Sequence, residues 1–268
     1  MPPEISVVLP AFNRADSIAM AAQSVLRQTR KDFELLIVDD CSTDATAEVI
    51  HKIRDPRVQY LKTPHNMGPS GARNVGIKAA QGEWVAFQDS DDEWMPEKLD
   101  QQMARLAARG MRDVGVYCGM IIVGSPEGDD ARTTARYHPD PGIASVEGDI
   151  AQTLLRHSLI STQTLMARRN TLRAIDGFDA DLPALVDWEC AIRLSREGSF
   201  AFVDSPLVHQ KFSPNSVTKD RWRRAEARRA IMEKHIAELS EHPEILARHW
   251  RSIAGDERRL GHATQARQ

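Results

Sequence analysis

An α/β fold, with a mostly parallel central sheet and helices on both faces, is what this sequence predicts. Three observations carry that expectation. Short apolar runs rich in Val, Ile and Leu alternate with helical patterns through the first hundred residues, the rhythm of repeated strand–helix–strand units. The runs are apolar along their whole length, as strands buried on both faces must be. Three of them end in polar or acidic residues, and such folds bind ligands beyond the carboxyl ends of their strands.

Residues 5–9, ISVVL, read as the first strand, closed by Pro10. Asp16 and Ser17 then offer caps for a helix over IAMAAQSVLRQ, whose apolar residues recur at helical spacing. FELLIVDD is a second buried strand ending in Asp39 and Asp40, with Ser42, Thr43 and Asp44 as cap candidates for a second helix. VQYLKT is a third strand, and the glycine-rich GPSGARN turn opens a third helix. EWVAFQDSDD is a fourth strand, and Pro96 suits the first turn of the helix after it. VGVYCGMIIVG reads as another strand, and residues 124–145 as a loop excursion rich in Gly, Pro, Asp and Thr. Regular structure returns over 146–210, with a helix around DWECAIRLSREG and a strand at FAFVDSPLVH. From about residue 219 the chain is helical and locally basic.

A chain of 268 residues is long enough for one α/β core with a small appendage. Its net charge of −3 lacks the basic excess of a nucleic-acid binder, so no nucleic-acid partner is expected. Cys41, Cys118 and Cys190 are far apart and odd in number, which points to reduced thiols in a cytoplasmic setting and not to a disulfide framework or structural zinc. The start, MPPEISVVLPAFNR, has no basic segment ahead of its short apolar run and does not read as a signal peptide. No stretch approaches the roughly 20 apolar residues of a membrane span. A lipid-borne ligand would be met at the membrane surface. Trp222, flanked by Arg221, Arg223, Arg224, Arg228 and Arg229, suggests peripheral membrane contact through the C-terminal helix. The simpler alternative is a solvated helix that packs Trp222 and Ile231 on its own domain.

Chemistry is expected where PAFNR, Asp39-Asp40 and Asp89-Ser90-Asp91-Asp92 converge. If the backbone is still extended, Asp89 and Asp91 project to one side. Two carboxylates with little nearby to neutralise them call for a cation, and hard oxygen ligands suit Mg²⁺ or Mn²⁺ shared with substrate phosphates. A lone DxD is more often a solvated turn, and Asp92 on its own would serve as a cap for the helix near Pro96. GPSGARN offers a helix N-terminus for phosphate, with Arg73 supplying charge, although such a turn is often only a turn.

Four blocks in order, SVVLPAFNR, FELLIVDDCSTDAT, NMGPSGARNVGIKAAQGEWVAFQDSDDEWMPEKL and GFDADLPALVDWECAIRL, resemble family 2 glycosyltransferases of the GT-A fold. The resemblance covers roughly residues 4–218 and is strongest over the first hundred. It implies a GT-A domain over 1–218, with a nucleotide-sugar half at about 1–118 and an acceptor half at about 119–218, then a C-terminal helical extension over 219–268. By the same resemblance Pro10 and Ala11 line a turn against the nucleotide, Phe12 stacks on the base and Asp40 accepts from a ring N–H. Arg73 lies near the nucleotide, and Asp89 and Asp91 match the metal-binding pair, with Asp91 the direct ligand. Asp187 matches the base that deprotonates the acceptor hydroxyl, although Val186 stands where glutamate is usual.

A second departure is Phe212, which falls where many relatives carry a histidine near the metal; His209 is the nearest substitute, though an ordinary strand-end histidine is the simpler reading. The implied activity is inverting transfer from a nucleoside-diphosphate sugar, UDP-linked by preference, to a glycan, lipid-linked or small-molecule acceptor, with Mn²⁺ or Mg²⁺. Two other readings stand beside it. A dinucleotide-dependent oxidoreductase is disfavoured because PAFNR, and no GxGxxG, follows the first strand. A catalytically silent relative that binds a nucleotide sugar or glycan differs from an enzyme only in turnover. Glu189 and Glu197 read as surface residues, and Asp187 would in that case be a plain helix cap.

Overall fold

The computed structural model describes residues 2–124, 135–211 and 220–259. Its first half follows the predicted rhythm. Strands β1 (Ile5–Ala11), β2 (Phe33–Asp39), β3 (Val58–Lys62) and β4 (Trp84–Phe87) alternate with helices α1 (Ile18–Leu26), α2 (Thr46–His51) and α3 (Gly68–Ala79). Strand β1 lies at the centre of this half, parallel to β2 on one side and β4 on the other, and β3 adds parallel to β2. Ala11 sits opposite Asp39 in the ladder, so PAFN and the acid pair Asp39-Asp40 leave the sheet at one edge.

The second half departs from the parallel expectation. It comprises β5 (Glu93–Trp94), α4 (Lys98–Ala108), β6 (Gly115–Val123), β7 (Ala135–His138), α5 (Ala151–Arg156), β8 (Met166–Arg168), α6 (Arg169–Ala174), α7 (Val186–Glu197) and β9 (Phe200–Lys211). The whole forms one mixed sheet in the order β3-β2-β1-β4-β8-β6-β9-β5, with β7 on β6. Strand β8 runs antiparallel to both β4 and β6, and β5 antiparallel to β9. Both are short: β8, three residues long, is wedged between β4 and β6, and β5, two residues long, closes the edge beside β9; antiparallel pairing needs no crossover helix of the kind a parallel pair demands.

Alternation along the strands sends side chains to two cores. Val7, Leu9, Leu35, Ile37 and Ala86 pack with α1 and α4, while Val8, Leu36, Val38, Val85 and Phe87 pack with α3, α5 and α7. Each fully buried aliphatic side chain contributes about 1.5–3 kcal/mol. Gly76 lets α3 lie against β1, since a Cβ there would come within 2.3 Å of Val8 Cγ1. The tail, α8 (Arg221–Lys234), α9 (Ile236–Ser240) and α10 (Pro243–Arg259), joins the second core through Ile231, Met232, Leu239, Ile245 and Ile253. Trp222 remains 41% exposed. Among the described residues no helix is long and apolar enough to cross a membrane.

Candidate functional site

The polar ends of β1, β2 and β4 meet through side chains. Asn13, held at φ 51°, accepts from Thr43 N–H at 2.8 Å and donates its own N–H to Ser42 at 3.0 Å, which ties the PAFN turn to the segment after β2. Pro10 and Ala11 are buried at the end of β1, whereas Phe12 is 44% exposed. An aromatic left that open at a strand's carboxyl end does not pack in the core, and its face is available for stacking.

The two acids after β2 divide the work. Asp39 is fully buried and accepts from Ser42 N–H at 2.9 Å and from the Tyr60 hydroxyl at 2.7 Å, so it shapes the loop. Asp40 accepts from the Thr63 hydroxyl at 2.9 Å and from Met67 N–H at 2.8 Å, both through Oδ1. Its Oδ2 makes no hydrogen bond among the described residues. A buried carboxylate with one oxygen fixed and one open accepts a single N–H.

Asp89 and Asp91 are not on extended backbone. Strand β4 stops at Phe87, and Asp92 N–H closes a turn onto the Asp89 carbonyl at 3.3 Å. A turn therefore brings the two carboxylates together, and not the i, i+2 register of a strand. They also have neutralising neighbours that sequence spacing did not reveal. Arg73 Nη2 lies 2.5 Å from Asp89 Oδ1, Arg14 Nε donates to the Ser90 hydroxyl at 3.2 Å, and Arg14 Nη2 stands 3.8 Å from Asp91. Even so, burial and the Asp89 charge hold the Asp91 carboxyl above the usual range, against Arg14 and Arg73.

That balance fits a divalent cation, because two crowded carboxylates remain under-compensated; the buried Arg73 Nε, without a hydrogen-bond partner, fits an anionic oxygen such as a phosphate's. Among the described residues no group of three or more His, Cys, Asp or Glu is arranged to hold a metal, so any further ligands would come from water or substrate oxygens. His209 is an interior residue of β9, opposite Glu93 and Ile121. Phe212 lies outside the described residues.

Asp187 is in the first turn of α7, where Leu185 at φ 57° holds the N-cap position. It accepts from Trp188 N–H at 2.9 Å. It is therefore not the cap of its helix. Burial raises its carboxyl above the ordinary range; the Asp89 charge adds to this, while Trp188 N–H and Arg73 oppose it. Its carboxyl lies near enough to Arg73 and Asp89 to feel both charges.

Two carboxylates that might have competed for its role are engaged elsewhere. Glu189 is fully buried, not a surface residue, and is bound by Arg193 at 2.6 Å and by Lys234 of α8 at 2.6 Å. Asp92 is no helix cap: it is 2% exposed and accepts from Gln163 Nε2 at 2.9 Å. Helix α4 starts later, at Lys98, without a side-chain cap. Sequence reading also passed over Asn74, whose side chain bonds both the N–H and the carbonyl of Phe178, at 2.8 and 2.7 Å. That clamp joins GARN to GFDADL. The only hint in the sequence is that both blocks occur together.

The family model described as Glycosyl transferase family 2 matches residues 6–170. The chain belongs to that family. The succinoglycan biosynthesis protein ExoO of Rhizobium meliloti is 44% identical over 108 residues, 40% of this chain and 31% of that protein. The Escherichia coli protein WfaP, a UDP-Glc:alpha-D-GlcNAc-diphosphoundecaprenol beta-1,3-glucosyltransferase, is 41% identical over 99 residues, 37% of this chain and 39% of that protein. The matched segment thus spans about a third of the length of these curated relatives. The mannosyltransferase PcManGT of Pyrobaculum calidifontis, solved with GDP-Man and Mn²⁺, superposes with a TM-score of 0.67 at 20% identity, over 99% of this chain and 74% of that one. At that identity the likeness speaks for the fold, which in this family member is a GT-A-like mixed sheet, parallel through its first four strands and flanked by helices.

Proposed function

We propose that the protein transfers a sugar from a nucleoside-diphosphate donor to an acceptor hydroxyl, with inversion at the anomeric carbon. The observation that carries this reading is an acid turn paired to Arg73 with a partly buried carboxylate, Asp187, close enough to feel both Arg73 and Asp89. A site that only bound the nucleotide has no use for a third carboxylate with a raised pKa, and such groups cluster where protons move. That favours turnover over silent binding.

Phe12 offers a face to the base, Pro10 and Ala11 line the turn, and the open Oδ2 of Asp40 accepts a ring N–H. Uracil N3 and guanine N1 carry that hydrogen, whereas cytosine and adenine have no ring N–H on that edge. The uridine donor is preferred, in keeping with the UDP-Glc in the name of WfaP. Arg73 approaches the diphosphate. Asp89 and Asp91 would hold Mn²⁺ or Mg²⁺, which when bound supplies charge to the departing diphosphate. Asp187 takes the proton from the acceptor oxygen as that oxygen attacks the face opposite the leaving group. One displacement inverts, and no side chain serves as a covalent nucleophile.

The acceptor is proposed to be a glycan or lipid-linked saccharide, met from the cytoplasmic side at the inner membrane face. Half-exposed Trp222 and Trp250 among the arginines of α8 and α10 support peripheral contact. Failure to co-sediment with anionic vesicles at low salt would remove that part. The function itself is tested by thermal shift with UDP-, GDP-, CDP- and ADP-sugars, with and without Mn²⁺. A ligand that binds only the folded state raises the midpoint. A UDP-sugar rise that depends on Mn²⁺ and is lost in Asp91→Ala is expected. Equal rises with CDP- and ADP-sugars contradict the base reading, and no rise with any donor contradicts the function.

A further inference from the structure

The acid turn is braced from beneath by a residue 71 positions away in sequence. Gln163 lies at the middle of a one-turn 3₁₀ helix, Thr162–Thr164, and is 3% exposed. Its Nε2 donates to Asp92 Oδ2 at 2.9 Å, and its carbonyl accepts from Trp94 Nε1 at 3.2 Å. The Asp92 carbonyl accepts from Gln88 Nε2 at 2.7 Å, so the residue after the acid pair is gripped at both its side chain and its main chain. The 3₁₀ turn is itself anchored: Gln102 Nε2 donates to the Thr164 carbonyl at 2.8 Å, and Gln102 Oε1 accepts from buried Lys98 at 2.9 Å.

We propose that Gln163 is a positioning residue for the divalent-cation site formed by Asp89 and Asp91. The inference rests on the metal reading of that pair given above. Asp89 and Asp91 set two like charges on one turn, closed by Asp92 N–H on the Asp89 carbonyl, and an exposed turn carrying them would relieve their repulsion by splaying. The hydrogen bonds to Asp92 oppose the splaying because they fix the turn's last residue to a different part of the sheet. A small, hard cation tolerates little error in ligand spacing. The amide suits the task because it satisfies a buried carboxylate without adding a cation that would compete with the metal.

The test reverses the polarity of the pair. Gln163→Glu sets a second buried carboxylate against Asp92 with no donor between them. Combining it with Asp92→Asn restores one donor and one acceptor in the opposite sense. Mn²⁺ affinity in the presence of UDP is read from the electron paramagnetic resonance signal of free Mn²⁺, and the melting midpoint is read in EDTA. Gln163→Glu should weaken Mn²⁺ binding about 10-fold or more, the usual scale for a group that orients a metal ligand. The double variant should recover to within about 3-fold, and metal-free UDP binding should stay unchanged. If Gln163→Glu fails to fold, Gln163→Met, which adds no charge, is held to the same 10-fold loss. Parental Mn²⁺ affinity in the folded single variant overturns the proposal. So does a double variant whose midpoint in EDTA recovers while its Mn²⁺ affinity does not. A parent protein that binds UDP but no Mn²⁺ refutes the metal reading, and the inference with it, and is told apart because the parent itself fails.

Discussion

Arg73 Nη2 lies 2.5 Å from Asp89 Oδ1, an ion pair that joins the helix opened by GPSGARN to the acid turn after β4. The guanidinium also stands over the Phe178 ring at 5.6 Å, and Phe178 meets Phe87 edge to face at 5.0 Å. Arg73 is thus held by Asp89 and by the Phe178 ring, with its Nε still unpartnered. Arg73→Met should lower UDP affinity by about 10-fold, the scale of a lost charge-assisted hydrogen bond. Because the Arg73 charge lowers the Asp187 carboxyl, the acid limb of the pH–rate profile should also move to higher pH. Isothermal titration with UDP and a rate profile check both. Parental affinity with an unmoved limb would remove Arg73 from the site.

Asp187→Asn separates chemistry from binding and from capping. Loss of a general base costs about 10²-fold or more in kcat, while donor affinity should hold. The pH behaviour has a definite sign. A carboxyl raised on folding stabilises the fold most when protonated, and that contribution is lost as pH rises through its folded value. Above that folded value the parent carries a desolvated charge that asparagine lacks. The variant should melt at or above the parental midpoint while turning over far more slowly. An active Asp187→Asn enzyme sinks the assignment, and since Glu189 and Asp92 are both engaged, no neighbouring acid inherits the role.

Glu189 predicts the opposite balance. It is bound by Arg193 and Lys234, and Lys234 reaches Asp179 of the GFDADL segment at 2.8 Å, so the tail pins both the loop before α7 and the first turn of that helix. His235, Arg193 and Lys234 together hold the Glu189 carboxyl well below its usual range despite burial. Its contribution is present above the unfolded value and is lost as pH falls through the depressed folded value. Glu189→Gln removes the negative charge between Arg193 and Lys234, which keep the Gly177 carbonyl and Asp179 as partners, and should cost about 1–3 kcal/mol, the scale for a lost charged hydrogen bond. Denaturant melts measure the loss, and UDP affinity of the folded fraction should not change. A loss under about 1 kcal/mol contradicts the account.

Lys98 gives a pH dependence on the alkaline side. It is fully buried over the Trp94 ring at 3.9 Å, and burial pulls its ammonium down to about 8 from an ordinary 10.5. Between those values the unfolded chain binds the proton that the folded chain has shed, so stability rises with pH. Lys98→Met should flatten that rise. Denaturant midpoints at pH 7.5 and pH 10 decide it: a slope unchanged from the parent means that Lys98 is not its source.

The strand–helix rhythm of the first half, the buried character of β1, β2 and β4, and the polar ends of those strands were readable from residue pattern, because period and turn chemistry are local; the roles of Phe12 and Asp40 rest on the family resemblance. Asp187 was legible only through its family block. Tertiary structure decided the rest. The antiparallel β8 and β5 are too short to leave a period. Asp89 and Asp91 meet through a turn where spacing alone suggested a strand. Asp39, Asp92 and Glu189 carry the same kind of carboxylate as Asp40, Asp91 and Asp187, and nothing in composition separates the structural set from the set proposed for the site. What separates them is partnership across the chain: Tyr60 with Asp39, Gln163 with Asp92, Lys234 with Glu189. A carboxylate's role is set by what desolvates and neutralises it, and those neighbours arrive from 21 to 71 residues away by folding.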